Sequence, residues 1–590
     1  MKKISFILTV IIATGILSGC QNLMKYNEVA EYNDQWLYDN ESEVSGMLGV
    51  VYSQVRHGLG NSGFPTWDGA MLASATDESD FAYSLSQIFR YYNGAWSSIN
   101  AFEDTWKNSF SGVYTANVFL ENLDKIFATL EQYKYNPPSG SRPYEQMVKI
   151  FELYPYQARF LRAYFYFELA KTYGDVPLIT RTITPAEANQ LTRTPVQDVF
   201  KFIVDECDAI AESLPVSYAD VQGTHIGRVN RPTVLALKAR TLLYAASPLF
   251  KPSNPKEAWR KAAVACKELI DNAEGWGIKL SAYSTLWNPS NFYSNPEVIW
   301  FRYAASTNYY AVINFPAGNE GALGGNCPTQ NLVDAYEYSS AAPAAQQGKS
   351  FGEVNPATIT AASYSNLDPR FGWTVAKNGD TWPSVDPYNK YPLETFEGGR
   401  NGPPTVNATT TGYYLKKYVN GSNRIVNPAS VSHYAWVTYR LGEFYLDYAE
   451  AMFNYMDRDA TAKGGGTLDM SANDAVNVLR NRSDIKMPLF TETGDAWEKR
   501  YMRERMVELA FEGHRFWDIR RWMLPDRYEK LFGDGNKFST NIKTVRLSRD
   551  GAIVRGPEVQ RGDWDNKFYF HPIPFSEMQK AQGLVQNPGW

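Results

Sequence analysis

Histidine and cysteine are scarce: five and four in a chain of 590 residues. The histidines, His57, His225, His433, His514 and His571, are scattered, and none sits in an HExxH spacing. Cys207, Cys266 and Cys327 stand roughly sixty residues apart, far from metal-ligand spacing, so buried free thiols are expected rather than a metal site. A serine-nucleophile elbow and a phosphate-cradling P-loop are missing as well. Carboxylate neighbours such as Asp77 and Glu78 occur, but a glycosidase pair is defined by separation in space, which sequence does not give. No catalytic residue, metal or cofactor is therefore assigned. Charge of one sign is also lacking. With 58 Lys and Arg against 63 Asp and Glu the net charge is −5, interspersed along the chain, which argues against nucleic acid as a partner. After the first twenty residues no apolar run approaches the about eighteen residues of a membrane-spanning helix.

Aromatics, by contrast, are plentiful: 16 Trp, 39 Tyr and 31 Phe, or 15% of the chain. Such rings fill cores, and they also stack on sugar faces. The N-terminus carries its own message. Lys2 and Lys3 precede an apolar stretch ending in Leu17-Ser18-Gly19-Cys20, the layout of a secretory signal. "LSGC" resembles a bacterial lipobox. Residues 1–19 are read as the signal, Cys20 as the lipidated residue, and 20–40 as a polar tether. The expected attachment to the membrane is through lipid alone.

A single domain is expected over 41–590. Helical patterns fill about 41–275 and 436–590, and a Gly-, Asn- and aromatic-rich lobe with short strands fills about 276–435. In "ARFLRAYFYFELAKTYGDVPLIT" (158–180) apolar residues cover most of the helix surface, the mark of a buried helix, and Gly174 and Pro177 stop it. "RPTVLALKARTLLYAASPLF" (231–250) reads likewise, with Pro232 in its first turn and Pro248 at its end. Runs such as "EVIWFRY" (297–303) read as strands, and Trp300 is placed in the core.

The stretch "MVELAFEGHRFWDIRRW" (506–522) has the composition of an active site. Read as a helix, however, Met502, Met506, Leu509, Gly513 and Phe516 form a buried stripe. Glu508 and Glu512 repel at i,i+4 unless arginines intervene. Arg505, Arg515, Arg520 and Arg521 are at hand to form charge-assisted forks on them and on Asp518. A structural ion network is the expectation.

Motifs in order along the chain carry a family resemblance: the lipobox, "MLASATDESD" (71–80), the two buried helices, "NPEVIWF", "PTQNLVDAYE", "LDPRF", "RLGEFYLDYAEA", "ERMVELAFEGHRFWDIRRW", "PIPFSEM" and the terminal "QNPGW". The chain resembles the SusD/RagB family of outer-membrane nutrient-uptake lipoproteins. The resemblance implies a mainly α fold: a helical body with four tetratricopeptide-type helix pairs, plus an irregular loop-rich lobe. It implies a non-catalytic, cell-surface oligosaccharide-binding lipoprotein of the outer membrane that serves a SusC-like TonB-dependent transporter. The competing readings are the peptide-binding lid of a RagA/RagB-type system and a surface glycosidase.

A sugar site needs aromatic platforms with polar neighbours. The family's arc of aromatics implies an early loop and loops of the lobe. In "FRYYNGAWSSIN" (89–100), Trp96 lies beside Asn93 and Gly94, whose turn chemistry predicts exposure. The lobe offers Tyr309 and Tyr310, which would face opposite ways in a strand, and Trp382. Trp67 and Asp77 complete the set with Arg370, a candidate for hydroxyls or an acidic sugar that also suits a structural role.

Overall fold

A computed structural model describes residues 41–590, apart from 60–68, 102–104, 138–141, 220–225, 288–291, 320, 384–389, 421–422 and 427–428. The fold is mainly helical. A row of helices, each packed on the next, runs Thr105–Glu121, Tyr154–Tyr173, Val196–Ile210, Arg231–Ala246, Pro255–Ala273, Leu441–Tyr455 and Ala472–Arg480. The Tyr154–Tyr173 helix is buried almost all round and stops at Gly174, whose φ of 72° suits glycine. The next buried helix starts where the Asn230 side chain accepts the Thr233 N–H, with Pro232 in the first turn. Trp300 is 2% exposed and packs edge-on against Phe160 and Tyr164. Cys207, Cys266 and Cys327 are free and buried.

The lobe leaves and re-enters the body through one antiparallel ribbon, Val298–Thr307 against Ser432–Arg440, in which Phe301 faces Val437. The first strand opens the insert and the second closes it, so the ribbon forms the lobe's neck. Tyr309 and Tyr310 lie just beyond the first strand. They begin a short helix, Tyr309–Asn314, and are not part of a strand.

Residues 506–522 do not form one helix. The helix Gly494–Glu508 ends, Phe511 (φ 59°) and Gly513 (φ 80°) turn the chain, and His514–Arg521 starts a second helix. The break re-aims the carboxylates toward a seam of buried charge between body and lobe. From the lobe, Arg370 Nη1 donates to Glu504 and to Glu508, each at 2.7 Å, while its Nη2 donates to Asp368 at 2.6 Å. Arg440, at the ribbon's end, reaches Glu508 at 2.8 Å, Glu297 at 2.9 Å and Glu512 at 2.7 Å. Lys417 of the lobe donates to Glu512 at 2.9 Å. Behind the seam, Arg505 joins Asp447 and Asp518, and Arg521 joins Asp518 and Glu450. A buried ion network is present, but its pairing differs from the expected one. Arg505 and Arg521 do hold Asp518, whereas Glu508 and Glu512 are held by Arg370, Arg440, Arg482 and Lys417. Arg515 pairs with Asp77, and Arg520 makes no ion pair among the described residues.

One carboxylate stands outside this pairing. Glu78, 1% exposed, accepts the Phe511 N–H through Oε1 at 2.7 Å, while its Oε2 has no hydrogen-bond partner. Burial pushes its carboxyl up to about 8. A carboxyl raised on folding contributes stability at low pH that is lost as pH climbs toward its folded value. Glu78→Gln retains the Oε1 acceptor and removes the charge. Thermal melts of the variant are therefore expected to match wild type near about pH 4, to exceed it already at about pH 6, and to exceed it most by about pH 9.

Candidate functional site

The eight residues singled out for ligand contact fare very differently. Trp96 is 6% exposed. It stacks on Phe568 (centroids 5.7 Å apart) and meets Tyr91, His571 and Trp590 edge-on at 4.7–4.9 Å. The expected solvent-facing platform is a packed core position, because the C-terminal segment folds over the loop. Phe575 N–H donates to the Ser98 carbonyl and Gly562 N–H to that of Tyr92, at 3.0 and 2.8 Å. Asn93 is exposed, but its Oδ1 caps the turn by accepting the Ala95 N–H.

Tyr310 and Trp382 are likewise in the core, 2% and 0% exposed. Tyr310 donates its hydroxyl to the Lys417 carbonyl, and Trp382 packs edge-on against Phe315. Arg370 is fully buried in the charge seam, which is the structural role and not ligand contact. Asp77 is clasped by both arms of Arg515 at 2.7–2.8 Å. Burial pushes its carboxyl up, but the Arg515 guanidinium outweighs burial and holds it below the usual range. Trp67 and Cys20 lie outside the described residues. Tyr309 alone among the described aromatic candidates is half-buried. It packs against the hydrophobic cluster that holds Trp96, as do Leu72, Phe89 and Trp517.

Leu72 and Trp517 lead to a feature the sequence did not single out: a cleft of about 150 Å³ between the Tyr154–Tyr173 helix, the ribbon and the turn at Phe511–His514. That is room for about five waters, or one pyranose ring. Its walls carry two half-buried indoles, Trp436 from the ribbon and Trp517 from the second helix of the broken stretch. Gly58 lets Trp436 sit close, since a Cβ there would fall 2.5 Å from the indole. Lys171 lies 4.6 Å from the centre of the Trp517 ring and holds Glu168 at 2.8 Å.

Polar groups complete the walls. Thr438 Oγ1 and His57 Nδ1 are buried atoms without a hydrogen-bond partner among the described residues. Arg56 Nη1 donates to Thr105 at 3.1 Å. Burial, with Arg302 nearby, pushes the His57 imidazole down to about 4, so it enters neutral chemistry at ordinary pH. Burial likewise holds His514 well below its usual value. Ring faces beside a Lys–Glu pair, a hydroxyl and a neutral imidazole suit a polyhydroxylated ligand with apolar C–H faces. Trp436 gave little signal in sequence because it sits in an ordinary alternating strand. Trp517 was hidden in a stretch already explained by its charges.

Among the described residues no group of three or more His, Cys, Asp or Glu could hold a metal ion, and no helix is long and apolar enough to cross a membrane. The molecule is thus a helical body carrying a loop-rich lobe on a two-stranded neck, with an aromatic–polar cleft beside that neck. The SusD family model matches residues 296–590, and a second model, described as starch-binding associating with outer membrane, matches 28–243. The chain belongs to the SusD family. Two SusD-like proteins of Formosa agariphila are each 22% identical to it. One match, over 291 residues, covers 48% of each chain; the other, over 444 residues, covers 74% of this chain and 73% of the relative. The first of these matches thus spans about half of that relative's length. A SusD-like protein from Bacteroides fragilis superposes with a TM-score of 0.73 at 23% identity, covering 95% of this chain and 99% of that one. A laminarin-binding SusD-like protein gives a TM-score of 0.59 at 20% identity, covering 94% and 100%.

Proposed function

We propose that this protein is a non-catalytic, glycan-binding lipoprotein of the outer membrane that captures oligosaccharide at the cell surface and passes it to a SusC-like TonB-dependent transporter. Family membership across both halves of the chain is the observation that carries the reading. The structural neighbours described as carbohydrate-binding and laminarin-binding support it. The row of helices is read as the tetratricopeptide-type pairs of that family. Within the protein, the cleft walled by Trp436 and Trp517 is the assigned sugar contact, and half-buried Tyr309 and exposed Asn93 remain candidates outside its walls.

A stacking indole is worth a hot-spot-sized contribution of about 2 kcal/mol, or roughly thirtyfold in affinity. Calorimetric titration of the purified ectodomain with starch- and laminarin-derived oligosaccharides should find a binder. Trp436→Ala should then weaken it by about that factor with only a modest fall in Tm. Binding to no oligosaccharide in a broad glycan array would sink the glycan reading. Binding unchanged in Trp436→Ala would move the site out of the cleft. For the anchor, Cys20→Ser is expected to release the protein from the membrane fraction and abolish lipid labelling; retention with labelling intact would refute the assignment.

A further inference from the structure

Deeply buried arginines in this fold are matched by carboxylates: Arg370, Arg440, Arg505 and Arg521 each hold at least two. Arg520 is the exception. It is 4% exposed, and no ion pair to it is found among the described residues. Its Nε donates to the Phe568 carbonyl and its Nη1 to the Phe516 carbonyl, both at 2.9 Å. The guanidinium lies 3.4 Å from the centre of the Phe516 ring and 5.3 Å from that of Trp564. Carbonyls and ring faces ease a cation's burial but leave its charge uncancelled.

Beside Arg520 is a cavity of about 30 Å³, walled also by Arg561, Trp564, Tyr92 and Asp77. Trp564 Nε1 and Arg561 Nε are buried donors with no acceptor among the described residues. The two wall charges other than Arg520 are already matched. Arg561 pairs with Asp80 at 2.9 Å, and Asp77 with Arg515 at 2.7 Å. One positive charge and two idle N–H donors therefore face a space the size of about one water. A space of that size suits a monatomic anion better than sulfate, phosphate or a sugar carboxylate. It admits a monatomic acceptor of unit negative charge.

We propose that this cavity is a binding site for one small monovalent anion of halide size, held by Arg520 with the Trp564 and Arg561 N–H groups. Consistently, burial pushes the Arg520 guanidinium down to about 9, opposed only by Tyr91 and Tyr569. The anion would tie together the segment at Thr76–Asp77, the His514–Arg521 helix and the C-terminal chain that covers Trp96. The site is separate from the cleft, so it stands or falls independently of the glycan reading.

The test compares thermal unfolding of the full chain in sodium chloride, sodium bromide and sodium gluconate at equal ionic strength. An anion bound only by the folded state raises Tm with its concentration, and saturating halide should add about 2 °C over gluconate, which is too large to enter. Arg520→Met should abolish the difference between the salts. Equal melting in all three salts, or a halide shift that survives in Arg520→Met, overturns the proposal. Should Arg520→Met not fold, bromide-soaked crystals of the wild-type protein decide. An anomalous peak between Arg520 and Trp564 supports the site, and its absence there overturns it.

Discussion

Glu508→Ala is expected to lower folding stability by about 3–5 kcal/mol, the cost of stranding buried charges by removing their partner. Glu508 is fully buried and meets Arg370 at 2.7 Å, Arg440 at 2.8 Å and Arg482 at 3.1 Å. Removing it leaves those guanidiniums short of a shared counter-charge in a place water does not reach. The same residue gives a pH signature. Burial alone would raise its carboxyl, yet Arg482, Arg440 and Arg370 together hold it far below the usual carboxylate range. Glu504 and Asp518 are lowered too, against their own burial, by Arg370 and Arg480 and by Arg505 and Arg521. A carboxyl depressed on folding contributes stability that is complete above its unfolded value, about 4.3 for glutamate, and is lost as pH falls toward the folded one. Denaturant melts should therefore show wild type weakening steeply below about pH 4, with a shallower slope in Glu508→Ala. A variant as stable as wild type would mean the seam is not holding the fold.

Trp96→Ala is expected to cost about 3–5 kcal/mol of stability, as for a large aromatic removed from a core. The indole touches four rings, and Phe568 and Trp590 bring the C-terminal segment onto it. Deleting it leaves a cavity under that segment, so the C-terminal chain should become sensitive to proteolysis before the rest. A Trp96→Ala protein with wild-type Tm and selectively lost oligosaccharide binding would instead restore this residue as a sugar platform.

Much of the architecture could be read from local pattern. The buried helices at 158–173 and 231–246 announced themselves by apolar residues on every face, and their stops by Gly174 and Pro248. That Glu508 and Glu512 needed cations was legible, but the cations came from Arg370, Lys417, Arg440 and Arg482 and not from the stretch itself. What pattern could not give was the break at Phe511 and Gly513, where a left-handed turn at a phenylalanine is sustained by tertiary contacts. Candidate site residues suffered for the same reason. A Gly/Asn loop around Trp96 looks exposed until Phe568 and Trp590 arrive from the far end of the chain. Tyr310 and Trp382 are aromatic in the right lobe but face inward, Tyr310 into a large core and Trp382 into a small one. The cleft is assembled from the Arg56–Gly58 segment, the 164–172 helix face, the ribbon and the 511–517 turn, and no single window contains it.

The seam also has a mechanical meaning. Swinging the lobe away from the body would pull Arg370, Lys417 and Arg440 off Glu504, Glu508 and Glu512 together, leaving Arg480 and Arg482 to hold Glu504 and Glu508 alone. The two-stranded neck is therefore not a hinge, and the cleft beside it is not a jaw. Body and lobe are thus expected to move as one unit when the lobe is pushed.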